Sequence, residues 1–135
     1  MTKPPPPTIL VVDDEPIMIR LLDDMLGSRY DLAFAMSGTE ALASVALYPP
    51  ELILLDVELP DMSGYDVCRA VRNSPASREI PVIFLTSNDR QTDLVSGFEA
   101  GGMDYVCKPV NFAVLSQRID RHLKYRESAT TIAQE

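Results

Sequence analysis

The chain has 135 residues, 46% of them hydrophobic and 24% charged, which sets the expectation of one soluble domain large enough to bury a core. Twelve basic residues against twenty acidic give a net charge of −8, the wrong sign for direct nucleic-acid binding, though it leaves room for a partner with a basic patch. No stretch is long enough to span a bilayer, MTKPPPPTIL lacks a signal peptide's apolar centre, and two cysteines make no disulfide framework, so Cys68 and Cys107 are expected as buried or half-buried thiols of a cytoplasmic protein.

Residues 1–7, with the proline run Pro4–Pro7, read as an extended, disordered lead-in. TILVVDD (8–14) is a short β-branched strand ending in acids, and Pro16 suits the first turn of a helix. Met18, Leu21, Leu22 and Met25 follow on one face of that helix, which ends near Gly27. YDLAFAM (30–36) alternates as a second strand; Ser37-Gly38 opens a helix carrying Ala41, Leu42 and Val45, and Pro49-Pro50 stops it. ELILLD (51–56) is a third strand, buried on both faces, and Gly64 to about Asn73 is a helix with Val67, Ala70 and Val71 inward. PVIFLT (81–86) is the fourth strand. A fourth helix from Gln91 to Ala100 points Leu94, Val95 and Phe98 at the core, and Gly101-Gly102 ends it. MDYVC (103–107) is the fifth strand. The last helix runs from Phe112 to about Tyr125 with Leu115, Ile119 and Leu123 on one stripe, which leaves 8–125 as the domain and 126–135 as a polar tail or linker.

Strands alternating with helices predict a parallel sheet covered on both faces. At this size the expected fold is α/β, a flavodoxin-like, doubly wound sheet of five βα units with strand order 2-1-3-4-5. Its crevice lies outside the carboxyl ends of strands 1 and 3. Asp13 and Asp14 end the first of these strands and Asp56 the second, while Thr86-Ser87 and Lys108-Pro109 end strands 4 and 5. Taken singly, these residues have plainer roles: a helix N-cap for the acid pair, a turn former for Asp56, a strand residue for Thr86, a solvated lysine for Lys108. Taken together they converge, and three neighbouring carboxylates repel one another unless a cation joins them. Oxygen donors without nearby His or Cys suit a hard ion, Mg²⁺. An Asp, a Mg²⁺ site, a Lys and a Thr are the parts needed to move a phosphoryl group onto a carboxylate.

VVDDEP (11–16), LLDVELPDMSGYDVCRAVR (54–72), PVIFLTS (81–87) and AGGMDYVCKPV (100–110), in this order and spacing, make the chain resemble the receiver domains of two-component response regulators over residues 8–125. The resemblance implies that Asp56 is the phosphoacceptor and that Asp13 and Asp14 are the acidic pair. Asp14 would bind Mg²⁺ directly and Asp13 partly through water. The Glu58 carbonyl would complete the metal site, and Thr86 and Lys108 would contact the phosphoryl group. It also implies a cis Lys108-Pro109 bond and an aromatic switch at Tyr105, coupled to Thr86, that reshapes the face of helix 4, strand 5 and helix 5. The implied phosphodonor is a sensor histidine kinase or histidine phosphotransfer protein. The implied readout is an output domain, a partner protein or a phosphorylation-dependent homodimer.

Two side chains near the phosphoryl position, Glu58 and Asn88, vary in such domains; for Glu58 the readings are a solvated loop acid or a carboxylate that reaches the metal or Lys108. His122, the sole histidine, is expected near the end of the last helix as a dipole partner without a catalytic role. The chain is therefore expected to be a regulator that catalyses only its own phosphorylation and dephosphorylation. The alternatives are a Mg²⁺-dependent aspartyl-phosphate phosphohydrolase, since Asp56-Val57-Glu58 is faintly similar to the haloacid dehalogenase type, and a receiver-like scaffold, which would lack one of the acids, the Thr or the Lys. Residues 98–125 resemble receivers joined to signalling enzymes such as diguanylate cyclases or histidine kinases.

Overall fold

The computed structural model describes residues 5–87 and 91–134, with the side chains of 91–94 and 125–134 excepted. Met1–Pro4 of the expected lead-in, Asn88, the side chain of Leu94 and the side chains of the expected tail lie outside the described residues. Strands β1 (Thr8–Val12), β2 (Asp31–Ala35), β3 (Leu52–Asp56), β4 (Val82–Thr86) and β5 (Asp104–Cys107) alternate with helices α1 (Pro16–Leu26), α2 (Gly38–Leu47), α3 (Gly64–Asn73), α4 (Gln91–Glu99) and α5 (Phe112–Gln134). All strand pairs are parallel, in the order β2-β1-β3-β4-β5. This is the expected flavodoxin-like fold.

The two-residue period of each strand divides its side chains between two apolar layers. Leu10, Val12, Ile53, Leu55, Val82 and Phe84 face one way, against α2 and α3 through Ala41, Val45, Val67, Cys68 and Val71. Ile9, Val11, Leu52, Leu54, Ile83 and Leu85 face the other, against α1 and α5 through Leu22, Leu26, Leu115 and Ile119. Every residue of β3 and β4 is buried. Each large aliphatic side chain taken from water there contributes about 1.5–3 kcal/mol. The central strands are thus packed on both faces, and their last residues, Asp56 and Thr86, are held by that packing.

Local chemistry explains the element ends. Pro16 sits in the first turn of α1, where no backbone donor is lost. Ser37 caps α2 by accepting from the Glu40 amide at 3.1 Å. After α4 the chain turns through Gly101 at φ 101°, with Gly102 N–H donating to the Gly97 carbonyl at 2.9 Å, a left-handed helix stop. The Lys108-Pro109 bond is cis, as the resemblance implies.

Four expectations need correction. Val95 and Phe98 do not face the core; they are 48% and 55% exposed, because α4 packs at the sheet's edge beside β5 and part of its apolar face has no strand beneath it. Leu21 lies at the solvent rim of α1, and Leu26 takes the inward place. Cys107 is exposed at the end of the edge strand, whereas Cys68 is buried, where burial pushes its thiol pKa up. Helix α5 does not end near Tyr125 but continues to Gln134, so His122 lies in its interior.

Candidate functional site

The strand ends meet in a cleft of about 560 Å³ whose lining includes Asp14, Glu15, Asp56, Glu58, Thr86 and Lys108. Asp56 forms its floor. It stands where β3 ends, with Leu85 as its register partner on β4. Its Oδ1 accepts from the Glu58 amide at 3.1 Å and its Oδ2 from Lys108 Nζ at 3.1 Å. Gly64, at the start of α3, lies so close to the Asp56 carbonyl oxygen that a Cβ there would overlap it. That contact requires glycine and locks the strand end against the helix.

Asp13 is fully buried at the end of β1. It accepts from the Glu15 amide at 2.9 Å and from Lys108 Nζ at 3.1 Å. Asp14, its neighbour, turns to solvent at the cleft wall. Lys108 bridges these elements from the loop after β5, and its third partner is Glu15 at 3.3 Å. The sequence-predicted residues Asp13, Asp14, Asp56, Thr86 and Lys108 are therefore drawn to one end of the sheet, and Glu58 joins them at the wall with an exposed side chain. Tyr105 is set back under α4. Its ring is 5.4 Å from that of Phe84 and 5.6 Å from that of Phe98, and its hydroxyl is 3.4 Å from that of Tyr65. It also fills the space that a Cβ at Gly97 would need.

Sequence reasoning missed Glu15. It reads as the residue before a helix proline, and it does serve as the N-cap position of α1, but without a side-chain cap bond. Its carboxylate instead joins Asp13, Asp14 and Asp56 in a group whose donor atoms lie within 4.8 Å of one another. The run of three acids, DDE, was the available signal. The Glu58 carboxylate is not among Lys108's partners within the described residues; these are Asp13, Glu15 and Asp56.

The charges are unbalanced. Burial pushes the Asp56 pKa up; the Glu58 amide pulls the other way, the Asp13 charge adds to the rise, and Lys108 lowers it without reversing the direction. Burial alone would depress the Lys108 pKa, but the Asp56 and Asp13 carboxylates outweigh it and hold the ammonium well above its usual range. Among the described residues one cation gains from several anions, while those anions share one cation. Oxygen donors alone, clustered with excess negative charge, fit a hard divalent ion such as Mg²⁺.

A second charge cluster lies at the start of β5. Asp104 accepts from Arg118 at 3.0 Å and Arg121 at 2.7 Å, and His122 Nε2 lies 3.0 Å from the same carboxylate. Burial would raise the Asp104 pKa, but the His122 hydrogen bond, its neighbour's amide and Arg118 together bring it below the usual range. His122 is thus a partner of Asp104, not a helix-end dipole residue.

A family model described as "Response regulator receiver domain" matches residues 9–120. A Vibrio cholerae protein named as a probable cyclic di-GMP phosphodiesterase is 43% identical over 121 residues, covering 90% of this chain and 27% of that protein. Response regulator PleD of Caulobacter vibrioides is 41% identical over 112 residues, covering 82% of this chain and 25% of that protein. The chain therefore spans about a quarter of the length of these curated relatives. The receiver domain of a sensor histidine kinase from Pseudomonas aeruginosa, solved with a magnesium ion coordinated in its active-site cleft, superposes with a TM-score of 0.83 at 32% identity. That match covers 88% of this chain and 98% of that one.

Proposed function

Since the chain belongs to the response regulator receiver domains, we propose that it accepts a phosphoryl group on Asp56 and reports it through the face of α4, β5 and α5. The observation that carries this reading is Lys108, whose Nζ lies 3.1 Å from both Asp56 and Asp13 at the cleft. It marks the place where a phosphoryl group bonded to Asp56 would find its counter-charge.

In the transfer, an Asp56 carboxylate oxygen attacks phosphorus and forms an acyl–phosphate bond. The bond from phosphorus to the donor breaks, and its electron pair leaves with the donor: an imidazole nitrogen of a phosphohistidine, or the acetate of acetyl phosphate. The buried end of β3 aims Asp56, so positioning supplies much of the rate. Lys108 moves its charge from the carboxylates to the phosphoryl oxygens, and Thr86 donates its hydroxyl to another of them. Asp13, Asp14, Asp56 and the Glu58 carbonyl would hold Mg²⁺, with Glu15 alongside; the ion supplies further neutralisation of phosphoryl charge. As Thr86 turns to the phosphoryl group, the Tyr105 ring, tilted against Phe84 and edge-on to Phe98, shifts with it and reshapes the face beside α4.

The phosphodonor in this reading is a sensor histidine kinase or histidine phosphotransfer protein in the cytoplasm. The readout is an output domain, a partner or a second copy. Among the described residues no helix is long and apolar enough to cross a membrane. Incubation with acetyl phosphate and Mg²⁺ followed by intact-mass measurement tests the reading. One phosphate adduct is expected, lost in Asp56→Asn. A folded, Mg²⁺-supplied chain that gains no adduct sinks it, and release of many phosphates per chain from a small phosphomonoester would favour a phosphohydrolase.

A further inference from the structure

The loop 57–63 between β3 and α3 carries Glu58 and forms one wall of the cleft. Its base is closed by three contacts. Glu58 and Ser63 bridge antiparallel, the Gly64 amide donates to the Val57 carbonyl at 2.7 Å, and the Tyr65 amide donates to Ser63 Oγ at 3.0 Å. Its tip reaches to the first turn of α2. There the Asp61 carboxylate accepts from the Gly38 amide at 2.8 Å, the Thr39 amide at 2.9 Å and the Thr39 hydroxyl at 2.6 Å. Met62 lies against Gly38 so closely that a Cβ there would overlap its side chain.

These bonds are more than helix α2 needs in order to start. Ser37 already caps it, and Glu40 reaches back to the Met36 amide at 2.7 Å. Asp61 takes the two remaining amides at the positive end of the helix. The Thr39 hydroxyl and the two amides hold its carboxyl at a pKa of about 2, so it stays ionised and bonded. The distinct effect falls on the loop, whose tip is tied to an element packed firmly through Ala41 and Val45.

We propose that Asp61 is a positioning residue for the cleft: anchored on α2, it holds the loop so that Glu58 presents its main chain to the cation and phosphoryl group. This rests on the magnesium reading above. The direct test is a calorimetric titration of Mg²⁺ into the full chain, its Asp61→Ala variant and its Thr39→Val variant, with far-UV circular dichroism to verify folding. Residues that orient metal-binding groups from behind are worth tenfold or more in affinity, so Asp61→Ala should weaken Mg²⁺ binding about tenfold. Thr39→Val, which loses the hydroxyl bond alone, should shift it less and in the same direction. Saturating Mg²⁺ should return the rate of adduct formation from acetyl phosphate to the wild-type value, a dependence that a general loss of structure would not show.

A natively folded Asp61→Ala chain with unchanged Mg²⁺ affinity overturns the inference and leaves the magnesium reading standing. A wild-type chain that binds no Mg²⁺ overturns both. If Asp61→Ala does not fold, Thr39→Val decides by the same measure.

Discussion

Two charge clusters, built from the same kinds of side chain, differ in their balance. At the cleft, among the described residues, four carboxylates (Asp13, Asp14, Glu15 and Asp56) cluster, and three of them (Asp13, Glu15 and Asp56) share the ammonium of Lys108. At the foot of β5, a single carboxylate, Asp104, faces Arg118, Arg121 and His122. The first has negative charge left over and open volume beside it, so it can take another cation and a charged group. The second is already supplied with more donors than its two oxygens need, and it ties β5 to α5. Surplus charge next to space marks a place for chemistry; saturated charge marks a strut.

Substitutions should separate the two. The largest effect is expected from Lys108→Ala, which removes the counter-charge for the phosphoryl group. Adduct formation from acetyl phosphate should slow about 100-fold, followed by intact mass over time, while calorimetry should find Mg²⁺ bound at least as tightly as before. Asp104→Asn should act in the opposite domain of behaviour. It leaves Arg118 and Arg121 without their carboxylate and should cost about 2 kcal/mol in urea unfolding at pH 7, with the rate of adduct formation unchanged.

That cost should depend on pH. The folded-state pKa of Asp104 lies below its unfolded value, which is about 3.9. Its stabilisation is therefore present above that value and is lost as pH falls through the folded pKa. The gap between wild type and Asp104→Asn should close in unfolding measurements taken progressively below about pH 4. The smallest effect concerns Asp56 itself. In chelator, Asp56→Asn removes one of the crowded anions, and the melting temperature should rise by about 3 °C. A fall would mean that the cleft is as balanced as the Asp104 cluster, and the contrast between the two would collapse.

The fold and the cleft were largely legible in the sequence because both rest on local signals. Buried parallel strands read as continuous apolar runs, and Asp13, Asp56, Thr86 and Lys108 each stand at the end of one such run. Strand order then brings the ends together. What was not legible depends on neighbours distant in sequence. The apolar spacing of Val95 and Phe98 gives no sign that α4 overhangs the sheet edge. His122 could not be matched to Asp104, 18 residues away, before β5 and α5 were docked. Asp61 drew no reading of its own, because its partners lie 22 and 23 residues earlier, at the start of α2. Glu15 was hidden by Pro16, whose strong helix-start signal accounted for the position without its charge.

Helix α5 has 23 residues, which makes it about 34 Å long, while the strand that precedes it has four. It begins at Phe112, four positions after Lys108, and so is rooted beside the cleft. A rod that outruns the sheet it lies on behaves as a pointer: a tilt of about 2° at the root carries its tip about 1 Å sideways, by the same rise per residue. In the proposed reading, a small rearrangement around Lys108 would be read as displacement at the far end of this helix.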